Sequence, residues 1–268
     1  MTDHSAGEEH DLIERLCALY REPDVMRELL ADPGSHCAGD YLAYRKQPWR
    51  ADQHLAVVLA REHIESSATI LVAGAGAGDQ CLHLAASGYW VIGTEILPEL
   101  CHVATKRARC SPGGERCMFV PVDSFSWPVA DNSMGGVSLL SSFVSHCPSK
   151  RLRRKLFEEV RRVLRPGGSV LMEALDYTHP SQFSPIPADP STAKGHLASL
   201  SVEPGVIWMP LHPLHGDRRS HTVYPWYFAS PIDLWHEVES AGLRPIRMQC
   251  EQSRTEAYAS VLIVAVAG

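Results

Sequence analysis

Several features are missing from this 268-residue sequence, and each absence narrows what it can be. No stretch carries the roughly 18 consecutive apolar residues that a membrane-crossing helix needs. The opening stretch MTDHSAGEEHDLIERL is acidic and lacks the apolar segment of a secretory leader. The expectation is a cytoplasmic protein with no membrane partner. Its 8 cysteines include no CxxC pair, and several fall within apolar patterns where a thiol behaves as a small hydrophobe, which fits a reduced compartment. Basic charge is also short: 25 Lys and Arg against 31 Asp and Glu leave a formal charge of -6, whereas a broad nucleic-acid footprint needs a basic face. A small-molecule partner is expected and no nucleic acid. A hydrophobic content of 45% over this length is enough to bury one large core with an appended lobe.

The apolar spacing divides the chain. Residues 8–31 carry Leu12, Ile13, Leu16, Leu19, Tyr20, Met26, Leu29 and Leu30 at near-helical spacing broken at Pro23, and further helical stretches flank a turn at Pro48. From Thr69 the period changes. TILVA, YWVIGTEI, RCMFVPV, MGGVSLLSS and GSVLMEAL read as strands, separated by the helices GDQCLHLAAS, PELCHVATKRARC and SKRLRRKLFEEVRRVL. Alternation with short turns means right-handed parallel crossovers and a sheet covered on both faces. The fold class predicted is α/β, doubly wound.

Ligands of such sheets sit at the carboxyl ends of the strands. There ILVAGAGAGDQCLHL, residues 70–84, sets Gly74, Gly76 and Gly78 between a strand and a helix whose free N–H groups favour negative charge. Glu95, about 20 residues on and closing the next strand, is placed to accept hydrogen bonds from a ribose diol. A dinucleotide loop wants G-x-G-x-x-G, but Asp79 stands where its third glycine belongs. The spacing leans away from NAD, and an NAD-dependent oxidoreductase stays as the lesser alternative.

The stretches ILVAGAGAGDQCLHLAASGYWVIGTEILPELCHVATKRA, FVPVDSFSWPVADNSMGGVSLLSSFVSHC and VRRVLRPGGSVLMEAL resemble, in order, the motifs of the class I S-adenosylmethionine-dependent methyltransferases, over roughly residues 69–176. The resemblance implies a mostly parallel seven-stranded sheet, S-adenosyl-L-methionine as cofactor and S-adenosyl-L-homocysteine as product. It sets the loop from Ala73 through Gly74, Gly76 and Gly78 against the methionine and ribose portion, Glu95 on the ribose hydroxyls and Ile96 on the adenine. Asp123 and Ser124 match the position that holds the adenine edge, LRPGG matches the turn before the fifth strand, and Ser141 joins the cofactor set. Two positions depart from the family pattern: the acid before the glycine loop is Val72, and that near the fourth strand is replaced within Gly135–Gly136. Both changes remove polar anchors, so a methyltransferase-like scaffold that binds the cofactor without transferring methyl groups is the main alternative.

Methyl transfer from an activated sulfonium asks mainly that the acceptor be held close and dry, and orientation supplies ~7–11 kcal/mol of the barrier. A base matters for a hydroxyl acceptor more than for an amine or thiol. His146, beyond the fourth strand, falls at the rim where an acceptor would approach; packing or capping of the next helix is the competing role. Asp176, Tyr177 and His179 follow the fifth strand and reach the same rim. A nucleic-acid base methyltransferase would carry an NPPY-like turn where this chain reads SLLSSF.

Substrate identity is expected in what the core leaves over. Residues 177–230 form a proline-rich insertion with Tyr177, Phe183, Trp208, Tyr224, Trp226, Tyr227 and Phe228, suited to a flat or apolar molecule or to filling a subdomain core. Arg45 or Arg50, in the N-terminal helices, is the candidate for the cofactor's carboxylate, against a plain surface role. His212, His215 and His221 have no helix to align them and no CxxC beside them, so no metal is expected. Cys110 and Cys117 flank a Gly-Pro turn and read as incidental thiols of a helix-to-strand loop, with pairing or binding of a soft ion as the alternative. The organisation expected is an N-terminal helical lid over 1–66, a cofactor-binding core over 67–176, a substrate-pocket insertion over 177–230, and a closing helix and strands over 231–268. The function expected is O- or N-methylation of a small aromatic or apolar molecule.

Overall fold

The computed structural model describes residues 51–176, 203–210, 223–252 and 259–268. Five parallel strands make the body of the sheet: β1 (Thr69–Ala73), β2 (Trp90–Glu95), β3 (Cys117–Pro121), β4 (Met134–Leu139) and β5 (Leu164–Asp176). Their order is β3-β2-β1-β4-β5. β1 and β4 lie innermost and are buried almost end to end, which is why TILVA and MGGVSL read as continuous apolar or small runs instead of alternating ones. Late in the chain β8 (Leu243–Gln252) and β9 (Ala259–Ala267) form an antiparallel pair, and β9 runs antiparallel to β5 with Leu171 opposite Val264. These seven strands give the mostly parallel sheet that the resemblance implied.

Helices cover both faces. On one side α1 (Ala51–His63) and α2 (Asp79–Ala86) bury Ala56, Leu59, Cys81 and Leu84 against Ile70, Val72, Leu171, Leu262 and Val264. α3 (Pro98–Ala108) connects β2 to β3. On the other side α4 (Lys150–Val163) and α5 (Pro231–Ser240) pack over Val137, Val170, Met172 and Ile263. α4 is strongly amphipathic: Leu152, Leu156, Val160 and Val163 share its inner face, and the Ser149 side chain caps it by accepting from Leu152 N at 3.1 Å. Within the expected N-terminal segment, α1 packs Ala56, Leu59 and Ala60 on the sheet; residues 1–50 lie outside the described residues.

Two features differ from the sequence expectation. LRPGG is not a turn outside the fifth strand: β5 already pairs at Leu164 with Met134, and the irregularity before Gly136–Ser169 absorbs the glycines, with Gly167 at φ 76°. The aromatic insertion also contains strands. β6 (Val206–Pro210) and β7 (Val223–Ala229) form an antiparallel pair, and β7 joins β5 in parallel at Leu175–Phe228 and Asp176–Ala229. β9 occupies one edge of β5 up to Leu175, and β4 occupies the other only as far as Met172. The β6–β7 pair therefore lies beyond the end of β4, directly over the carboxyl rim of the sheet.

Candidate functional site

At that rim β1 delivers the chain into the glycine loop from buried Ala73. Gly74, Gly76 and Gly78 have φ of 62°, 54° and 88°, a region that side-chain-bearing residues rarely enter. Gly74 meets a second constraint, since a Cβ there would lie 2.8 Å from the Phe143 ring. A Cβ at Gly78 would stand 2.8 Å from the Phe119 ring. The loop thus offers bare backbone at its crest, and Ala75 N donates to Thr94 O at 2.9 Å to stitch it to β2.

Glu95 ends β2 with its side chain buried. Its Oε2 accepts from Gly76 N at 2.9 Å and its Oε1 from Leu97 N at 3.2 Å, so the carboxylate is locked beside the loop. Asp79, where a dinucleotide loop would have its third glycine, is buried and ion-paired with Arg107 of α3, which also donates to Ala77 O at 2.7 Å. An anchored acid at the first turn of α2 replaces the close helix–strand packing that a glycine would permit.

Ile96 is partly buried next to Glu95. β3 stops at Pro121, and half-buried Asp123 and Ser124 lie in the loop beyond it, where Asp123 Oδ1 accepts from Phe125 N at 2.8 Å. Arg162 holds that loop, donating to Trp127 O at 3.0 Å and Val129 O at 2.9 Å. Ser141 and Ser142, after β4, have φ of 59° and 57°, two successive left-handed residues without glycine. Such backbone persists only where the surroundings over-determine it.

His146 closes a short 3-10 turn, Phe143–His146, and its ring lies on Trp226 of β7 with centroids 4.3 Å apart and planes inclined at 50°. The helix-capping role considered for His146 belongs to Ser149. Asp176 is buried at the end of β5; burial first and then the Asp176 carboxylate push the Cys250 thiol up. The loop, Glu95, Asp123, Ser141, His146 and Asp176 therefore all line the same edge of the sheet. Arg45, Arg50, Tyr177, His179 and the histidines 212, 215 and 221 lie outside the described residues. Among the described residues no group of three or more His, Cys, Asp or Glu could hold a metal. Cys110 and Cys117 are free thiols, and burial followed by Glu115 pushes Cys117 up to about 11.

Three contributors were not picked out from the sequence. Phe143 packs on Gly74, Glu173 of β5 accepts from Ser142 N at 3.1 Å, and Arg153 of α4 is buried behind the aromatic wall. Arg153 donates to both oxygens of Glu237 at 2.7 and 2.8 Å and to Cys147 O at 3.1 Å, and lies 3.6 Å from the Tyr227 ring centroid. The signals were a lone acid in the apolar run SVLMEAL and an arginine on the inner stripe of α4.

A doubly wound sheet with a left-handed glycine loop after β1 and a locked acid closing β2 defines a nucleotide-type binding protein of Rossmann-like architecture. Residues 70–168 match the family described as methyltransferase domain, so this stretch of the chain is similar to methyltransferases in sequence. No curated protein matches it by sequence. Solved structures with the same fold include an S-adenosylmethionine-dependent methyltransferase from Methanosarcina mazei, 20% identical with a TM-score of 0.60 over 78% of this chain and 96% of that one. Another is the 1,6-didemethyltoxoflavin-N1-methyltransferase of Burkholderia thailandensis with its substrate and S-adenosylhomocysteine bound, 14% identical with a TM-score of 0.57 over 100% of this chain and 91% of that one. A third is the cyclase SpnF, 15% identical with a TM-score of 0.63 over 94% of this chain and 96% of that one. At these identities the likeness concerns the fold.

Proposed function

We propose that the chain binds S-adenosyl-L-methionine across the Gly74–Gly78 loop and methylates a small molecule, with S-adenosyl-L-homocysteine as the other product. The observation that carries this reading is the Glu95 carboxylate, held by Gly76 N at 2.9 Å and Leu97 N at 3.2 Å beside a loop with no side chain at its three glycines. When bound, the cofactor supplies a methyl group already activated on a sulfonium. Glu95 accepts from the ribose hydroxyls, Ile96, Asp123 and Ser124 take the adenine side, and Ser141 lies toward the reacting end. Arg50 is the proposed partner of the cofactor's carboxylate. His146 and Trp226 wall the acceptor side and exclude water, and holding the acceptor in line is worth ~7–11 kcal/mol. That wall favours an aromatic or apolar substrate with an oxygen or nitrogen acceptor. For a hydroxyl acceptor the proton passes to His146 or Asp176 at this rim, with Tyr177 and His179, which follow β5 in sequence, as the other candidates.

The test is calorimetry with S-adenosylhomocysteine, followed by labelled-methyl transfer to aromatic hydroxyl and amine acceptors and mass spectrometry of co-purifying molecules. No binding, or a preference for NADH, overturns the reading.

One observation favours a scaffold that binds the cofactor without methylating. Val72 is packed into the apolar core, and the Gly135–Gly136 pair makes room for the segment between α1 and β1, a Cβ at Gly136 falling 2.4 Å from Ile64 and one at Gly135 2.6 Å from Ala68. Neither position offers a polar anchor, and SpnF has this fold and is a cyclase. Cofactor binding without methylation of any acceptor, in a protein that co-purifies with a different small molecule, would support this second reading.

A further inference from the structure

We propose that Glu173 is a positioning residue for the cofactor site, acting through the turn after β4 and the Phe143 ring. The inference rests on the reading that the Gly74–Gly78 loop takes the adenosyl cofactor. β5 outruns β4: the last pair is Leu139 with Met172, so Glu173 lies just where the chain leaves β4. There the backbone turns through Ser141 and Ser142, at φ of 59° and 57°. Left-handed serines cost energy that something nearby must offset. Two contacts from β5 do so. Ser142 N donates to Glu173 Oε2 at 3.1 Å, and Leu175 N donates to the buried Ser145 Oγ at 2.8 Å. Ser145 thereby takes a strand N–H that β4 no longer reaches, and the 142–145 segment is pinned at both ends to β5.

Phe143 sits between the two pins, and its ring occupies the space that a Cβ on Gly74 would need, 2.8 Å away. The first residue of the glycine loop is thus backed by a ring whose place is set by a carboxylate two strands over, in the order β1-β4-β5. If the carboxylate is lost, the left-handed turn loses an acceptor, Phe143 is free to withdraw, and Gly74 loses the wall that holds its φ of 62°. The role needs an acceptor at this place and not a negative charge, so a glutamine carbonyl can fill it.

The experiment compares Glu173→Ala, Glu173→Gln and Phe143→Ala in the full chain, by S-adenosylhomocysteine calorimetry and by amide exchange over residues 141–146. Glu173→Ala should weaken S-adenosylhomocysteine about tenfold, the loss of one hydrogen bond to a charged group, and should speed exchange in this segment. Glu173→Gln should stay within about threefold of wild type in both readings. Phe143→Ala should reproduce the affinity loss while the Ser142 amide stays protected. The proposal is overturned if Glu173→Ala behaves as wild type, if Glu173→Gln is as impaired as Glu173→Ala, or if Phe143→Ala leaves affinity intact. Should Glu173→Ala not fold, the Gln and Phe143 variants still decide it. If the wild type binds no S-adenosylhomocysteine, the cofactor reading fails by itself; slow exchange at Ser142 that Glu173→Gln preserves and Glu173→Ala abolishes would still uphold Glu173's hold on the turn.

Discussion

The imidazole of His146 lies against the indole of Trp226, ring centroids 4.3 Å apart, and so joins the turn after β4 to the strand that caps the site. A ring held this way serves as a wall whether or not it moves a proton, and two substitutions separate the roles. His146→Phe keeps the ring and the stacking, worth ~0.5–1.5 kcal/mol, but removes both nitrogens. The expected outcome is turnover within a few-fold of wild type and unchanged cofactor affinity. A fall of ~10²–10⁴ in His146→Phe, with loss of the acidic limb of the rate profile, would make His146 the base for a hydroxyl acceptor.

Glu95 gives a sharper prediction, because its carboxylate orientation is set by two backbone donors. Glu95→Ala should weaken S-adenosylhomocysteine by about 1.5–3 kcal/mol, read by calorimetry, with the melting temperature checked in parallel. Undiminished affinity in a folded variant would take the ribose off Glu95.

How much of this was legible in the sequence follows the range of the interactions. The glycine loop, Glu95 and the strand–helix alternation depend on local backbone needs and near-neighbour periodicity, and the residues stand at those positions in the chain. Asp79 is different: it was legible as a departure from the dinucleotide pattern, but its partner Arg107 is 28 residues away and unmarked. Arg153 and Glu237 are 84 residues apart and pair only because α4 and α5 share a sheet face. The β6–β7 pair was hidden because its strands are short, proline-flanked and aromatic, a composition that fits a loop wall as well as a strand. Phe143 reads as one more apolar residue; its contact with Gly74 exists only once β4 and β1 are paired.

Alkaline pH should weaken the fold through the same aromatic wall. Burial pushes the Tyr227 hydroxyl up to about 12 from an ordinary 10.0, despite the lowering effect of nearby Arg153. Burial likewise pushes the Cys147 thiol up to about 12 from 9.0, again against Arg153. Both groups hold their protons to higher pH in the folded state than in the unfolded chain. Their contribution is complete below the ordinary values and is lost as pH rises towards 12, by at most about 1.4 kcal/mol per pH unit and group. Urea midpoints should fall over this window, and Tyr227→Phe should flatten the decline between pH 10 and 12. An unchanged slope in that variant would mean that Tyr227 ionises as an exposed tyrosine does.

The Arg153–Glu237 pair is buried on both sides, and its bidentate geometry serves α4, α5 and β7 together. Arg153→Met leaves a carboxylate in the interior without its guanidinium, which should cost ~3–5 kcal/mol in denaturant unfolding. Arg153→Lys should recover only part, since an ammonium cannot bond both oxygens in the same plane or stack on Tyr227. The double variant Arg153→Met with Glu237→Met removes the unpaired charge as well, and should regain most of the loss because the two charges no longer need to be desolvated. It should not regain the hold on Cys147 O or on the Tyr227 ring, the neighbours in sequence of His146 and Trp226. A stable double variant with faster amide exchange in β7 and a raised substrate KM is therefore the expected combination. If the double variant matches wild type in β7 exchange and in KM, the pair is a stability element alone, and the wall is held by its own packing.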